Sequence, residues 1–196
     1  GLLKRIAEAL LHLQGVAEGG GHAQLSALYR LRGRLAVHRG EADSARAHFL
    51  ESVAEAEKSG AAVVMLEART AAADDVEALD GLWRDVDALG HTPLQLEAAQ
   101  KLISAQLTDG DAATADDVLR RAQSLVRSSG TYAFTYRLHL LTAELRRTRG
   151  DEAGAVRAEA AARTEVERLV RAMPEDRRAA FLAQDELSRI KVSPGA

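Results

Sequence analysis

The stretch from Tyr29 to Gly60 constrains the fold of this chain most, because weaker copies of its layout recur downstream. It predicts a helix, a tight turn at Gly40-Glu41 and a second helix that ends at Gly60. Apolar and small residues lie on one stripe of each helix at the 3.6-residue period. Gly33 and Ala45 are small where two antiparallel helices would approach closely, and Phe49 would fill the space that they leave.

The turn recurs as Gly110-Asp111 and Gly150-Asp151, and the spacing between the first two turns places another one at Asp74-Asp75. Small or apolar residues stand at matching distances from these turns, apart from Asp80. The residues seven before are Gly33, Ala68, Ile103 and Ala143, and those five after are Ala45, Asp80, Ala115 and Ala155. A helix–turn–helix unit of about 35 to 40 residues, repeated about four times, is typical of a repeat array.

The motifs Tyr29-x2-Arg32-Gly33-x2-Ala36 and Ala45-x3-Phe49 resemble the tetratricopeptide repeat at the aromatic, glycine, alanine and phenylalanine positions. Arg32, Ala36 and Glu57 stand where that family has Leu, Tyr and Pro. The loose, long period looks like the repeats of bacterial signal-transduction ATPases and maltose-activator-like regulators. The resemblance implies an all-α fold of antiparallel helix pairs, stacked in a right-handed α-solenoid whose first helices line a concave groove.

We therefore predict one array over residues 1–196. Its parts are the second helix of a truncated repeat (2–17), four helix pairs (23–60, 61–90, 94–130 and 131–173), a C-terminal capping helix (174–190) and a disordered tail (191–196). Gly1 leads directly into an apolar pattern with no initiator methionine, so we expect a fragment of a larger protein.

Composition excludes several classes of protein. The chain has no cysteine, which rules out disulfides and thiolate metal sites and fits a reducing compartment. It contains no apolar run near the roughly 20 residues that span a bilayer, and no signal peptide is evident. The net charge of −3 argues against general nucleic-acid binding. We predict a cytoplasmic protein with neither a membrane nor a nucleic-acid partner.

The sequence also argues against catalysis and metal binding. The 6 histidines are scattered without helical ligand spacing, and no nucleophile, zinc or dinucleotide motif occurs. The carboxylates between Asp74 and Asp87 suit a helix N-terminus and a solvated face. Trp83 is most simply a core anchor, with a contact hot spot as the alternative. We predict a non-enzyme with no cofactor and no metal; any chemistry would reside elsewhere in a larger parent chain.

One charge pattern goes beyond a generic helical array. The first helices of the four pairs sum to +7 and the second helices to −10. Combined with the family resemblance, this split implies a basic groove on an acidic back. The predicted partner-binding residues are Arg30, Arg34, His38, Arg69, Arg137 and Arg147. The alternative is ordinary charge placement, since cations are favoured at helix C-termini for their interaction with the helix dipole.

Two function classes remain open. The leading hypothesis is a protein-interaction scaffold of a bacterial signalling or regulatory protein, which holds an acidic peptide, a partner domain or another domain of its parent chain. The alternative is an effector-sensing superhelix that binds a small anionic ligand within a multidomain regulator. A cleft of one charge sign attracts ligands of the opposite sign in both cases.

Overall fold

The computed structural model describes residues 21–182 and residue 187, and within these residues it contains helices and no strand. The predicted all-α class is therefore confirmed. The chain forms two compact units, Gly1–Asp74 and Asp75–Ala196. The predicted helix over 2–17 and the predicted tail over 191–196 lie outside the described residues.

The helices follow one another with short connections. The first unit contains α1 (His22–His38), α2 (Ala42–Ser59) and α3 (Ala62–Ala72). The second contains α4 (Val76–Leu89), α5 (Thr92–Thr108), α6 (Ala112–Ser129), a 3-10 turn (Tyr132–Phe134), α7 (Thr135–Thr148), α8 (Glu152–Ala172) and α9 (Glu175–Leu182). In the first unit, α1 packs against α2 and α2 packs against α3. In the second unit, each helix from α4 to α7 packs against the next one along the chain.

The three glycine turns have the same backbone hydrogen bonds. Gly40, Gly110 and Gly150 have φ of 71°, 82° and 75°, a left-handed conformation that favours glycine. Each glycine N–H donates to the carbonyl three residues back, over 2.9, 3.2 and 2.9 Å. The following residue donates to the carbonyl five back, over 2.9, 2.8 and 2.9 Å. This pair of hydrogen bonds is the Schellman motif, so the recurring sequence signal corresponds to a recurring helix ending.

The turn expected at Asp74-Asp75 is confirmed, but its hydrogen bonds differ from those of the glycine turns. Helix α3 ends at Ala72 without a glycine, and the Asp75 carboxylate accepts a hydrogen bond from the Ala78 N–H at 2.8 Å. This side-chain cap begins α4. Asp80, the polar exception among the positions that flank the turns, has a side chain that is 48% exposed and pairs with Arg84. The other seven flanking positions are buried.

Helices α1 and α2 form an antiparallel hairpin, because their contacting residues run in opposite order. Gly33 lies against Phe49, and a Cβ added to the glycine would come within 2.5 Å of the ring. Nearer the start of α1, the buried hydroxyls of Ser26 and Ser52 each donate a hydrogen bond to the backbone carbonyl of the other residue at 2.9 Å. The predicted close approach at Gly33 is therefore confirmed.

The second unit repeats this antiparallel arrangement. Tyr136 near the start of α7 packs against Val166 and Val170 near the end of α8, whereas Ala143 packs against Ala155. Phe181 and Leu182 of α9, together with Leu187, cover the Tyr136 end of the cluster. Phe181 and Leu182 of α9 therefore pack against the hydrophobic cluster of α7 and α8.

The fourth pair begins with a 3-10 turn rather than directly with α7. The Thr131 side chain caps no backbone N–H, and its hydroxyl lies 2.9 Å from Ser129 Oγ. A 3-10 turn follows, and α7 begins at Thr135. Short 3-10 segments of this kind are common at helix termini.

Candidate functional site

Helix α1 carries arginines but no acidic residue anywhere between His22 and His38. Its exposed face carries Arg34 and His38, which are one helical turn apart. Two large apolar side chains share this exposed surface, Leu31 at 39% and Val37 at 59% exposure. We call Leu31, Arg34, Val37 and His38 the α1 face. It combines positive charge with accessible apolar surface on a single rigid element.

Arg30 lies beside this face and joins two first helices. Its guanidinium donates to the Glu67 carboxylate of α3 at 2.6 Å, and the two side chains are 17% and 32% exposed. The bond holds α1 and α3 side by side within the first unit. Because Glu67 compensates much of its charge, Arg30 contributes less to the positive potential of the face than its sequence position suggests.

Arg69 and Arg147 pair with carboxylates of second helices. Arg69 lies 3.8 Å from Glu57 of α2, with both side chains about half exposed. Arg147 of α7 donates to Glu159 of α8 at 2.7 Å and lies 3.4 Å from Glu152. Hydrogen bonding to Glu159 raises the pKa of Arg147. Arg69 therefore connects α3 to the second helix of the preceding pair, whereas Arg147 connects the two helices of its own pair.

Arg137 occupies a different setting, at the end of the second unit that α9 covers. Its guanidinium carbon lies 5.6 Å from the centre of the Tyr136 ring, and its Nε donates to the Tyr136 hydroxyl at 3.0 Å. Phe181 contacts the same ring edge-on, with 6.1 Å between the ring centres. Arg137 therefore takes part in an aromatic contact. As members of one binding groove, the six residues chosen from the sequence remain predictions.

A buried carboxylate that the sequence analysis missed lies between α1 and α2. Glu55 is 9% exposed, and its two oxygens contact His22 Nδ1 at 2.8 Å and Lys58 Nζ at 2.6 Å. Burial raises the pKa of Glu55, but the hydrogen bonds from Lys58 and His22 outweigh it and hold the pKa below its usual value. Each carboxylate oxygen has a partner, and the His22 contact connects α1 to α2. Only its position, three residues after Ser52 on α2, hinted at this burial.

Trp83 is 4% exposed, which confirms the core-anchor interpretation. Arg121 lies over its ring at 5.3 Å and bonds Asp87 at 3.2 Å. The remaining carboxylates of α4 serve as a cap or face solvent. Among the described residues, no three His, Cys, Asp or Glu side chains converge in a way that could hold a metal ion.

The apolar part of the α1 face was also missed by sequence reasoning. Leu31 precedes Arg34 by three residues and His38 by seven, a spacing that places all three on one side of a helix. That spacing could have revealed the face, because Leu31 falls off the stripe that contains Gly33. A leucine outside the packed stripe must be covered by another element or exposed to solvent.

Comparisons with protein-family models, with curated proteins and with solved structures find no match for this chain. The tetratricopeptide resemblance therefore remains a prediction from the repeat spacing. Within residues 21–182, no helix is both long enough and apolar enough to cross a membrane.

Proposed function

We propose that this chain is a non-catalytic protein-interaction scaffold of a bacterial signalling or regulatory protein, and that the α1 face binds an acidic peptide or partner domain. The observation that carries the proposal is the charge of α1. This 17-residue helix contains Arg30, Arg32 and Arg34 with no acidic residue, and its exposed face includes Arg34 and His38.

Helix-dipole effects account for only part of this charge. His38 and Arg39 lie at the C-terminus of α1, where a cation is favoured in any helix. Arg34 lies one turn earlier and remains exposed. An exposed guanidinium provides several donors in a planar fork that matches a carboxylate. The α1 face is therefore suited to a ligand with more than one carboxylate.

The proposed architecture is a right-handed α-solenoid of tetratricopeptide type. Three equivalent Schellman turns, and the packing of successive helices within each unit, support repeated hairpins. First helices also contact each other within each unit, α1 with α3 and α5 with α7. Small-angle scattering tests the proposal: we expect an elongated particle, and a near-spherical one would contradict it.

The binding proposal is tested with a synthetic octaglutamate peptide, followed by fluorescence anisotropy. Binding should weaken as salt rises, because exposed charges are screened over about 8 Å at physiological ionic strength. Arg34→Glu should reduce affinity at least tenfold, about 1.4 kcal/mol, since it removes one attraction and adds one repulsion. Arg163→Glu changes the same charge on an exposed position of α8 and should leave affinity unchanged.

Two results would contradict the binding proposal. The first is a peptide affinity that Arg34→Glu and Arg163→Glu lower equally, since the attraction would then come from net charge alone. The second is tight binding of free citrate with no binding of octaglutamate, which would favour the small anionic effector. Unchanged helicity by circular dichroism shows that each variant is folded.

A further inference from the structure

We propose that the ligand of the α1 face is an acidic peptide that also places two apolar side chains on Leu31 and Val37. This inference rests on the proposed function and specifies its ligand class. The carboxylates bind Arg34 and His38, and the apolar side chains provide contact area that a fully charged ligand lacks.

Exposed large apolar residues are concentrated on α1. The large apolar side chains that are exposed in the described chain are Leu31, Val37, Leu50, Leu89, Tyr132 and Val156. Helix α1 is the only described helix that carries two of them. Both lie within three residues of Arg34 in the sequence. The most basic helix of the first unit therefore also carries more exposed large apolar side chains than any other described helix.

The composition of the α1 face determines which ligands can cover it. A phosphate, a citrate or a run of glutamates can bind the charged groups of the face, but none of them can cover Leu31 and Val37. Specific interfaces usually combine an apolar centre with charges that guide the approach of the partner. A peptide that carries both acidic and apolar side chains can contact both the charged and the apolar residues of the face. An all-acidic segment can contact only the charged residues.

The spacing of the two apolar residues sets the spacing in the ligand. Leu31 and Val37 are six positions apart on α1, or about 9 Å along the axis at a rise of about 1.5 Å per residue. A peptide in the polyproline II conformation has about three residues per turn and a rise of about 3.1 Å per residue, so side chains three positions apart lie on one side of the peptide and about 9 Å apart. A Leu-Glu-Glu-Leu core with flanking glutamates therefore fits the face in a polyproline II conformation.

The experiment compares two labelled peptides of equal charge. One is Glu-Glu-Leu-Glu-Glu-Leu-Glu-Glu, and the other has serine at both leucine positions. We expect the leucine peptide to bind the unaltered chain about tenfold more tightly. In the double variant Leu31→Ser, Val37→Thr the two peptides should bind alike, because the apolar contacts are lost. Leu50→Ser is the matched control, since Leu50 and Val37 are equally exposed at 59%, and it should retain the preference.

Each outcome distinguishes this inference from the proposed function. Equal affinity of the unaltered chain for both peptides, with loss of binding in Arg34→Glu, would overturn the apolar contacts and leave the acidic partner in place. Failure of both peptides to bind would overturn both proposals. Concentration-dependent self-association that disappears in the double variant would show that a second copy covers the face, which also overturns the inference.

Discussion

Gly33→Ala tests the close helix approach that defines the first hairpin. The added Cβ would lie 2.5, 2.6 and 2.9 Å from three carbons of the Phe49 ring, closer than folded proteins tolerate. The ring must move, because the clashing atoms belong to a rigid group rather than to the end of a flexible chain. The substitution therefore sets a packing cost against a gain in helix propensity.

The magnitudes of the two effects decide the sign. Alanine in place of glycine inside a helix contributes about 1 kcal/mol. Overpacking costs typically about 1–3 kcal/mol. We expect a net destabilisation of about 1 kcal/mol for Gly33→Ala. In a Phe49→Ala background the clash is absent, so the same change should stabilise by about 1 kcal/mol. The coupling energy between Gly33 and Phe49 is then about 2 kcal/mol.

Urea unfolding followed by circular dichroism measures these differences. Gly81→Ala is the matched control, because Gly81 also lies inside a helix and a Cβ there would meet nothing within 4 Å. It should stabilise by about 1 kcal/mol. If Gly33→Ala stabilises the chain as much as Gly81→Ala does, the close contact with Phe49 does not constrain the hairpin and the reasoning is refuted.

Three further predictions concern the first unit. Ala45→Leu should destabilise by about 1–3 kcal/mol through overpacking, since Ala45 is 4% exposed; an unchanged urea midpoint would contradict this. Glu55→Gln should destabilise above about pH 5, and the difference should shrink as pH falls below the usual pKa of 4.5, because a carboxylate whose folded pKa is lowered loses its contribution when protonated. A pH-independent difference would refute the charged role. Arg30→Met and Glu67→Leu should each cost about 1 kcal/mol, and the double variant less than their sum, as a double-mutant cycle measures; additivity would exclude coupling.

The local structure was predictable from the sequence because its causes lie within a few residues. A glycine followed by an acidic residue both ends one helix and begins the next, as at Gly110-Asp111, where Asp111 accepts the Thr114 N–H at 3.1 Å. The approach at Gly33 was predictable as well, since a glycine and a phenylalanine on facing stripes leave few ways to pack two helices.

The tertiary structure decided which charges act together. On the sequence, Arg30, Arg69 and Arg147 are all first-helix arginines, yet Arg30 bonds Glu67 of another first helix and the other two pair with second helices. A guanidinium at the end of a long side chain can reach several neighbours, and which carboxylate lies within reach depends on how adjacent helices are rotated. Helical periodicity places Arg34 and Leu31 on one face, but only the packing of the surrounding helices determines that this face remains exposed.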